Sequence, residues 1–175
     1  MRGGNLPVSW FVAFAILAPV AGPVRSATNQ TIRIKVVNGR TGRAVGSDTC
    51  LNISIGEWHG ADLLAPTDES GVVVLHLDDG RLSAIVPPGT KCVGGFATDA
   101  VLPQGEDRIT PASGGNDCQP FRKHHRYLPP SYSIHEILTR GVVAKNVCGK
   151  TVIEAKPGEL IFFIKPPGFF QRMTE

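Results

Sequence analysis

The chain is dominated by short apolar runs of strand length, each alternating in phase with polar residues and cut by glycine- or proline-bearing turns at roughly ten-residue intervals. In TIRIKVV, Ile32, Ile34 and Val36 share one face while Arg33, Lys35 and Val37 share the other. TCLNISIG repeats the pattern, with Leu51, Ile53 and Ile55 opposite Cys50, Asn52 and Ser54. Val72–Leu77 and Leu82–Val86 are two further strands, separated by the Asp-Gly of LDDGRL, and GELIFFIK is a closing strand over 158–165. EWHGADLLAP is less regular and either continues the preceding strand or crosses between sheets, and KCVGGFAT is a strand weakened by Gly94 and Gly95. The span Gln104–Asp117 reads as a long loop with a short strand around Ile109. Such a pattern predicts an all-β sandwich, because period-two apolar faces of this length need a second sheet to cover them.

One segment breaks the period. SIHE is a capping box, with Ser133 as N-cap and Glu136 three residues on. Ile134, Ile137 and Leu138 then fall on one helical face, and Gly141 can close the helix in the left-handed region. A short helix over Ser133–Arg140 is expected, its apolar face against the sandwich.

The first residues predict export. Arg2 precedes an apolar stretch, Val8–Ala18, which is shorter than the roughly 20 residues of a membrane span. Val24 and Ser26 suit a cleavage site, giving a signal peptide over 1–26 and a single domain over 27–175. Of 18 basic and 15 acidic side chains, the leader takes Arg2 and Arg25, so the mature chain is close to neutral. That balance gives no broad electrostatic reason to bind nucleic acid, and no stable membrane span is left after cleavage. The expected location is secreted or periplasmic.

All four cysteines, Cys50, Cys92, Cys118 and Cys148, follow the leader, which in an exported chain predicts two disulfides with three possible connectivities. None lies in a C-x-x-C arrangement. Cys118 and Cys148 bracket a long excursion, so their pairing would staple it to the sandwich and leave Cys50 with Cys92, plausibly between strands.

The turns carry a resemblance. IRIKVVNGRTGRAVGSDTCLNISIG followed by PTDESGVVVLHL resembles the carboxypeptidase-regulatory-like domain, a transthyretin-type, immunoglobulin-like β-sandwich of exported bacterial proteins. The matching residues are Thr41, Gly42 and Val45 of the first turn, and Thr67, Asp68 and Gly71 of the second. The resemblance covers about 31–90 and departs from the pattern after Val86, where PPGTKCVGG replaces a glycine-x-tyrosine strand. It implies a prealbumin-like sandwich, on which 104–150 is a loop-and-helix insertion. The C-terminal part is similar to uncharacterised exported bacterial proteins, a similarity that implies no activity.

The sharpest candidate site is RKHHRY, comprising Arg122, Lys123, His124, His125, Arg126 and Tyr127. Adjacent histidines on extended chain point opposite ways, and no pair among the five histidines has i,i+2 or i,i+4 spacing. The favoured reading is therefore a solvated binding loop with no metal and no cofactor. The alternative is a metal-binding protein or metalloenzyme using His124 or His125 with Tyr127 or Tyr132, should folding converge them. The histidine-x-histidine pair of intradiol dioxygenases and the tyrosine-arginine-glycine-serine motif of transthyretin-like hydroxyisourate hydrolases are both missing. No G-x-S-x-G elbow or phosphate-cradling loop occurs either. Sequons at Asn29 and Asn52 matter only in a glycosylating host, and Trp58 and Phe169–Phe170 read as core or cover. The expected function is that of a non-enzymatic accessory domain, binding or structural, whose partner is a protein or carbohydrate.

Overall fold

A computed structural model describes residues 29–46, 49–56, 62–88, 92, 97–114, 116–119 and 130–165. Ten strands and one helix form two sheets. In chain order they are β1 (Gln30–Asn38), β2 (Cys50–Ile55), β3 (Asp62–Pro66), β4 (Val72–Asp78), β5 (Arg81–Ala84) and β6 (Asp99–Val101). There follow β7 (Arg108–Ala112), β8 (Tyr132–Ser133), α1 (Ile134–Arg140), β9 (Val142–Val143) and β10 (Glu159–Ile164). The larger sheet runs β6-β5-β4-β1-β10-β9 and the smaller β3-β2-β7-β8. The all-β sandwich with a single short helix among the described residues is thus the architecture.

The inward faces are those the alternation dictates. Ile32, Ile34 and Val36 of β1, Leu51, Ile53 and Ile55 of β2, and Val73 and Leu75 of β4 are buried between the sheets. Strand β10 differs, because all six of its residues are buried. It pairs in parallel with β1 on one side and β9 on the other, with Ile34 opposite Leu160 and Val36 opposite Phe162. Leu160 and Phe162 therefore share the inner face, while Ile161 and Phe163 point outward and need a cover of their own. The connection 144–158 supplies it, laying Ile153 and Ala155 against the core cluster.

The loop expected over Gln104–Asp117 holds a five-residue strand, β7, which pairs with β2 and places Ile109 in the core. Strands β6, β8 and β9 are also additions to the sequence reading; each is only two or three residues long. The EWHGADLLAP segment supplies an ordinary strand, β3, antiparallel to β2.

Helix α1 begins where expected. Ser133 Oγ accepts from Glu136 N at 3.3 Å. The reciprocal half of the capping box is not made: Glu136 instead accepts from Arg140 Nη2 at 2.6 Å, one helical turn on. Gly141 has the positive φ foreseen, 74°, but ψ of 156° takes it out of the left-handed helical region. Contact also demands glycine here, since a Cβ would meet the backbone of Lys156.

The T-D-x-x-G turn is built as its residue types require. Asp68 Oδ1 accepts from Ser70 N at 2.9 Å, Ser70 Oγ at 2.7 Å and Val72 N at 2.8 Å. Desolvation pushes this carboxyl up, but the bonds from Ser70 and Val72 outweigh it and hold its pKa below the ordinary value. Gly71 has φ of 75° and its α-carbon lies against the Val45 carbonyl. On the outer face, Glu159 accepts from Lys35 Nζ at 2.8 Å, and that bond is the largest cause of its lowered pKa.

Two predictions follow from these contacts. Gly71→Ala must place its Cβ against Val45 O in a φ region costly to side chains, so urea denaturation should show a loss of at least ~1–3 kcal/mol. Asp68 and Glu159 both have depressed folded-state pKa values, so their stabilisation is full above the unfolded carboxylate range and lost as pH falls through the folded values. The urea midpoint should therefore hold from neutral pH to about 5 and drop below about 4. Glu159→Gln should start lower at neutral pH and converge on wild type in acid.

Candidate functional site

Both disulfides connect the cysteines the sequence pairs. Cys118 and Cys148 are joined with 5.3 Å between Cα atoms, and Cys50 and Cys92 with 5.9 Å. Cys50 begins β2, whereas Cys92 lies outside any strand, so the second bridge ties a strand to a connection instead of joining two strands.

Cys118 is fully buried at the foot of the excursion. Its backbone continues the larger sheet: Cys118 N donates to Phe163 O at 2.9 Å, and Asp117 bridges Ile164. Lys165 N donates to Asn116 O at 2.7 Å, and Val147 N to Cys118 O at 2.9 Å. Asp117 Oδ1 accepts from Ser113 N and Oγ at 2.8 and 2.6 Å, turning the chain out of β7. The first foot is thereby locked to the end of β10 before the disulfide is considered.

The second foot is held as firmly. Arg108 Nε donates to Ser131 Oγ at 2.9 Å and its Nη2 to Ser131 O at 2.8 Å. Ser133 Oγ donates to Asp107 Oδ2 at 2.8 Å. Tyr132, opposite Ile109 and packed on the core, donates from its hydroxyl to Gln119 Oε1 at 3.4 Å, linking one foot to the other. Burial, with a smaller contribution from the Asp117 charge, pushes the Tyr132 phenol well above its ordinary pKa. It stays a neutral donor across the physiological range. Gln119 is only 5% exposed, and its Nε2 has no hydrogen-bond partner among the described residues.

Between these feet lie Arg122, Lys123, His124, His125, Arg126 and Tyr127, all outside the described residues, as are His59, Trp58, Phe169 and Phe170. Of the remaining histidines, His76 shares a 3.2 Å hydrogen bond with Thr31 Oγ1 and His135 is exposed on α1. Among the described residues no three of His, Cys, Asp or Glu converge on a possible metal position. Tyr132, a candidate ligand in the alternative reading, is engaged with Gln119 and the core. At the sequons, Asn29 is exposed, whereas Asn52 sits mid-strand in β2 with a buried, unpartnered Oδ1. No described helix is long and apolar enough to cross a membrane.

Sequence reasoning missed Gln119, Arg108 and Ser131 as positioning residues. Their only signal was position, at the two edges of the basic segment and on the short strand around Ile109. No family model matches the chain, and neither a curated protein nor a solved structure matches it.

Removing the staple tests how much it adds to these polar locks. The Cys118→Ala/Cys148→Ala pair should lose ~3–4 kcal/mol by loop-closure entropy, measured by urea denaturation. The intact protein should have a non-reducing mass four hydrogens below that of the reduced chain.

Proposed function

We propose that the protein is an exported, non-enzymatic accessory domain that binds a protein or carbohydrate partner through the excursion between Cys118 and Cys148. One observation carries this reading: both feet of the excursion are fixed to the sandwich by buried or multiply bonded residues. Cys118 is held by its disulfide and by Phe163 O, Ser131 by Arg108, and the two feet by the Tyr132–Gln119 bond. A rigid scaffold that pins the ends of a long polar segment is the usual way a loop is offered to a partner. The basic run Arg122–Arg126 supplies that segment with cations and imidazoles suited to acidic or hydroxyl-bearing groups.

Export is supported by the apolar leader and by two disulfides, which persist in oxidising compartments. Kinship with the carboxypeptidase-regulatory-like domains is supported by the turn chemistry of Thr41-Gly42 and of Thr67, Asp68 and Gly71. Gly42 and Gly71 both have positive φ, and Asp68 caps the second turn.

The test is a binding screen of residues 27–175 against glycan arrays and candidate acidic protein ligands, read by calorimetry. The reading predicts a saturable ligand whose affinity falls at least about tenfold in Arg122→Ala/Lys123→Ala/Arg126→Ala, with thermal stability unchanged. A stoichiometric metal lost on His124→Ala, or turnover that depends on His124, would replace it with the metalloprotein reading.

A further inference from the structure

The outer face of the larger sheet carries a second surface, which the near-neutral charge of residues 27–175 conceals. The connection 144–158 passes beside the turn after β1. Asn146 Nδ2 donates to Gly39 O at 2.7 Å, Thr151 Oγ1 donates to the same carbonyl at 3.3 Å, and Gly149 packs directly on Gly39 and Arg40. These contacts bring Lys145 and Lys150 of the connection beside Arg40 of the turn, all three exposed. None of the three is in an ion pair with a described residue. The acid nearest in the chain, Glu154, lies beyond Val152, and Asp117 is taken up by Ser113.

Exposed apolar side chains interleave with these cations. Val143, Val147 and Val152 are 43%, 50% and 90% exposed, and they are half of the large hydrophobic residues exposed among those described. Val143, Val152 and Lys150 border a surface groove of about 330 Å³ floored by Ala144, Ile153 and Phe163. Unpaired cations set among protruding valines on a rigid, sheet-backed connection are the two ingredients of interfacial membrane attachment: attraction to anionic headgroups and shallow apolar insertion.

We infer that residues 143–152, with Arg40, form a peripheral docking surface for an anionic phospholipid bilayer. A soluble acidic polysaccharide would satisfy the cations but would leave the valines in water, without gain. A single-stranded nucleic acid would call for an exposed aromatic platform, which the described residues of this surface do not offer, and a duplex would, like the polysaccharide, leave the valines in water. The inference is independent of the partner proposed for the excursion.

Co-sedimentation of residues 27–175, which contain every described residue, with vesicles of equimolar phosphatidylcholine and phosphatidylglycerol tests it. Wild type should partition onto these vesicles in a salt-sensitive manner and not onto phosphatidylcholine alone. Lys145→Gln/Lys150→Gln should weaken partitioning on the order of 25-fold, at about fivefold per charge. Val147→Ser/Val152→Ser should weaken it by about fivefold or more with the cations intact. An unchanged melting temperature shows that a variant is folded; should Val147→Ser lower it, Val152→Ser alone carries the apolar arm. Absence of partitioning onto the anionic vesicles overturns the inference. So does partitioning indifferent to the lysines, or indifferent to the valines and abolished by soluble polygalacturonate, the last marking a site for soluble polyanions.

Discussion

The fold depends on burying β10 on both faces. Glu159–Ile164 sits between β1 and β9 in the larger sheet, and no residue of it is exposed. Its inward side chains, Leu160 and Phe162, are covered by the smaller sheet, as any sandwich would cover them. Its outward ones, Ile161 and Phe163, would leave two large apolar residues in water unless something crossed that face. At roughly 1.5–3 kcal/mol per fully buried side chain, the cover is worth a sizeable part of a small domain's net stability. The connection 144–158 therefore cannot be a free loop. Its course accounts for the Ala144 and Gly158 backbone bonds, to Ile161 and Ile137, and for the close approach to Gly39.

The same strand organises the excursion. Its end accepts the Cys118 amide through Phe163 O, and its last residue is bridged by Asp117. The disulfide then ties Cys118 to Cys148 of the covering connection, so the foot of the excursion and the cover of β10 are one mechanical unit. At the opposite end of β1 and β10, α1 closes the sandwich with Ile134 and Ile137, and Gly158 N donates to Ile137 O. The root of the excursion and the covering connection are thus both anchored on one buried strand.

Much of this was legible in the sequence, for particular reasons. The alternation in β1, β2 and β4 survives because one side of each faces the core, and a one-residue slip would reverse every side chain. The apolar run LIFFI marked a closing strand, although its burial on both faces and its parallel pairing with β1 depend on partners far away in sequence. The disulfide pairing followed from which cysteines bracket the excursion. Strand β7 was legible only as a short strand around Ile109, because RITPA holds a proline and shows little alternation; its full extent comes from pairing with β2 and β8. The capping box was half legible: Ser133 caps as its type requires, but Arg140 outcompetes the backbone for Glu136, which the four-residue motif does not contain. The polar link between Gln119 and Tyr132 joins residues 13 apart, and no local pattern announces it.

Residue-resolved hydrogen exchange tests the central claim most directly. If β10 and its cover form one unit with the root of the excursion, the amides of Cys118 and Ala144 should exchange as slowly as those in the middle of β1. Those two amides bond to Phe163 O and Ile161 O, at 2.9 Å each, and belong to no interior strand residue. Exchange of Cys118 and Ala144 at loop-like rates, with the β1 amides still protected, would contradict the account. The first foot of the excursion would then be held by its disulfide alone.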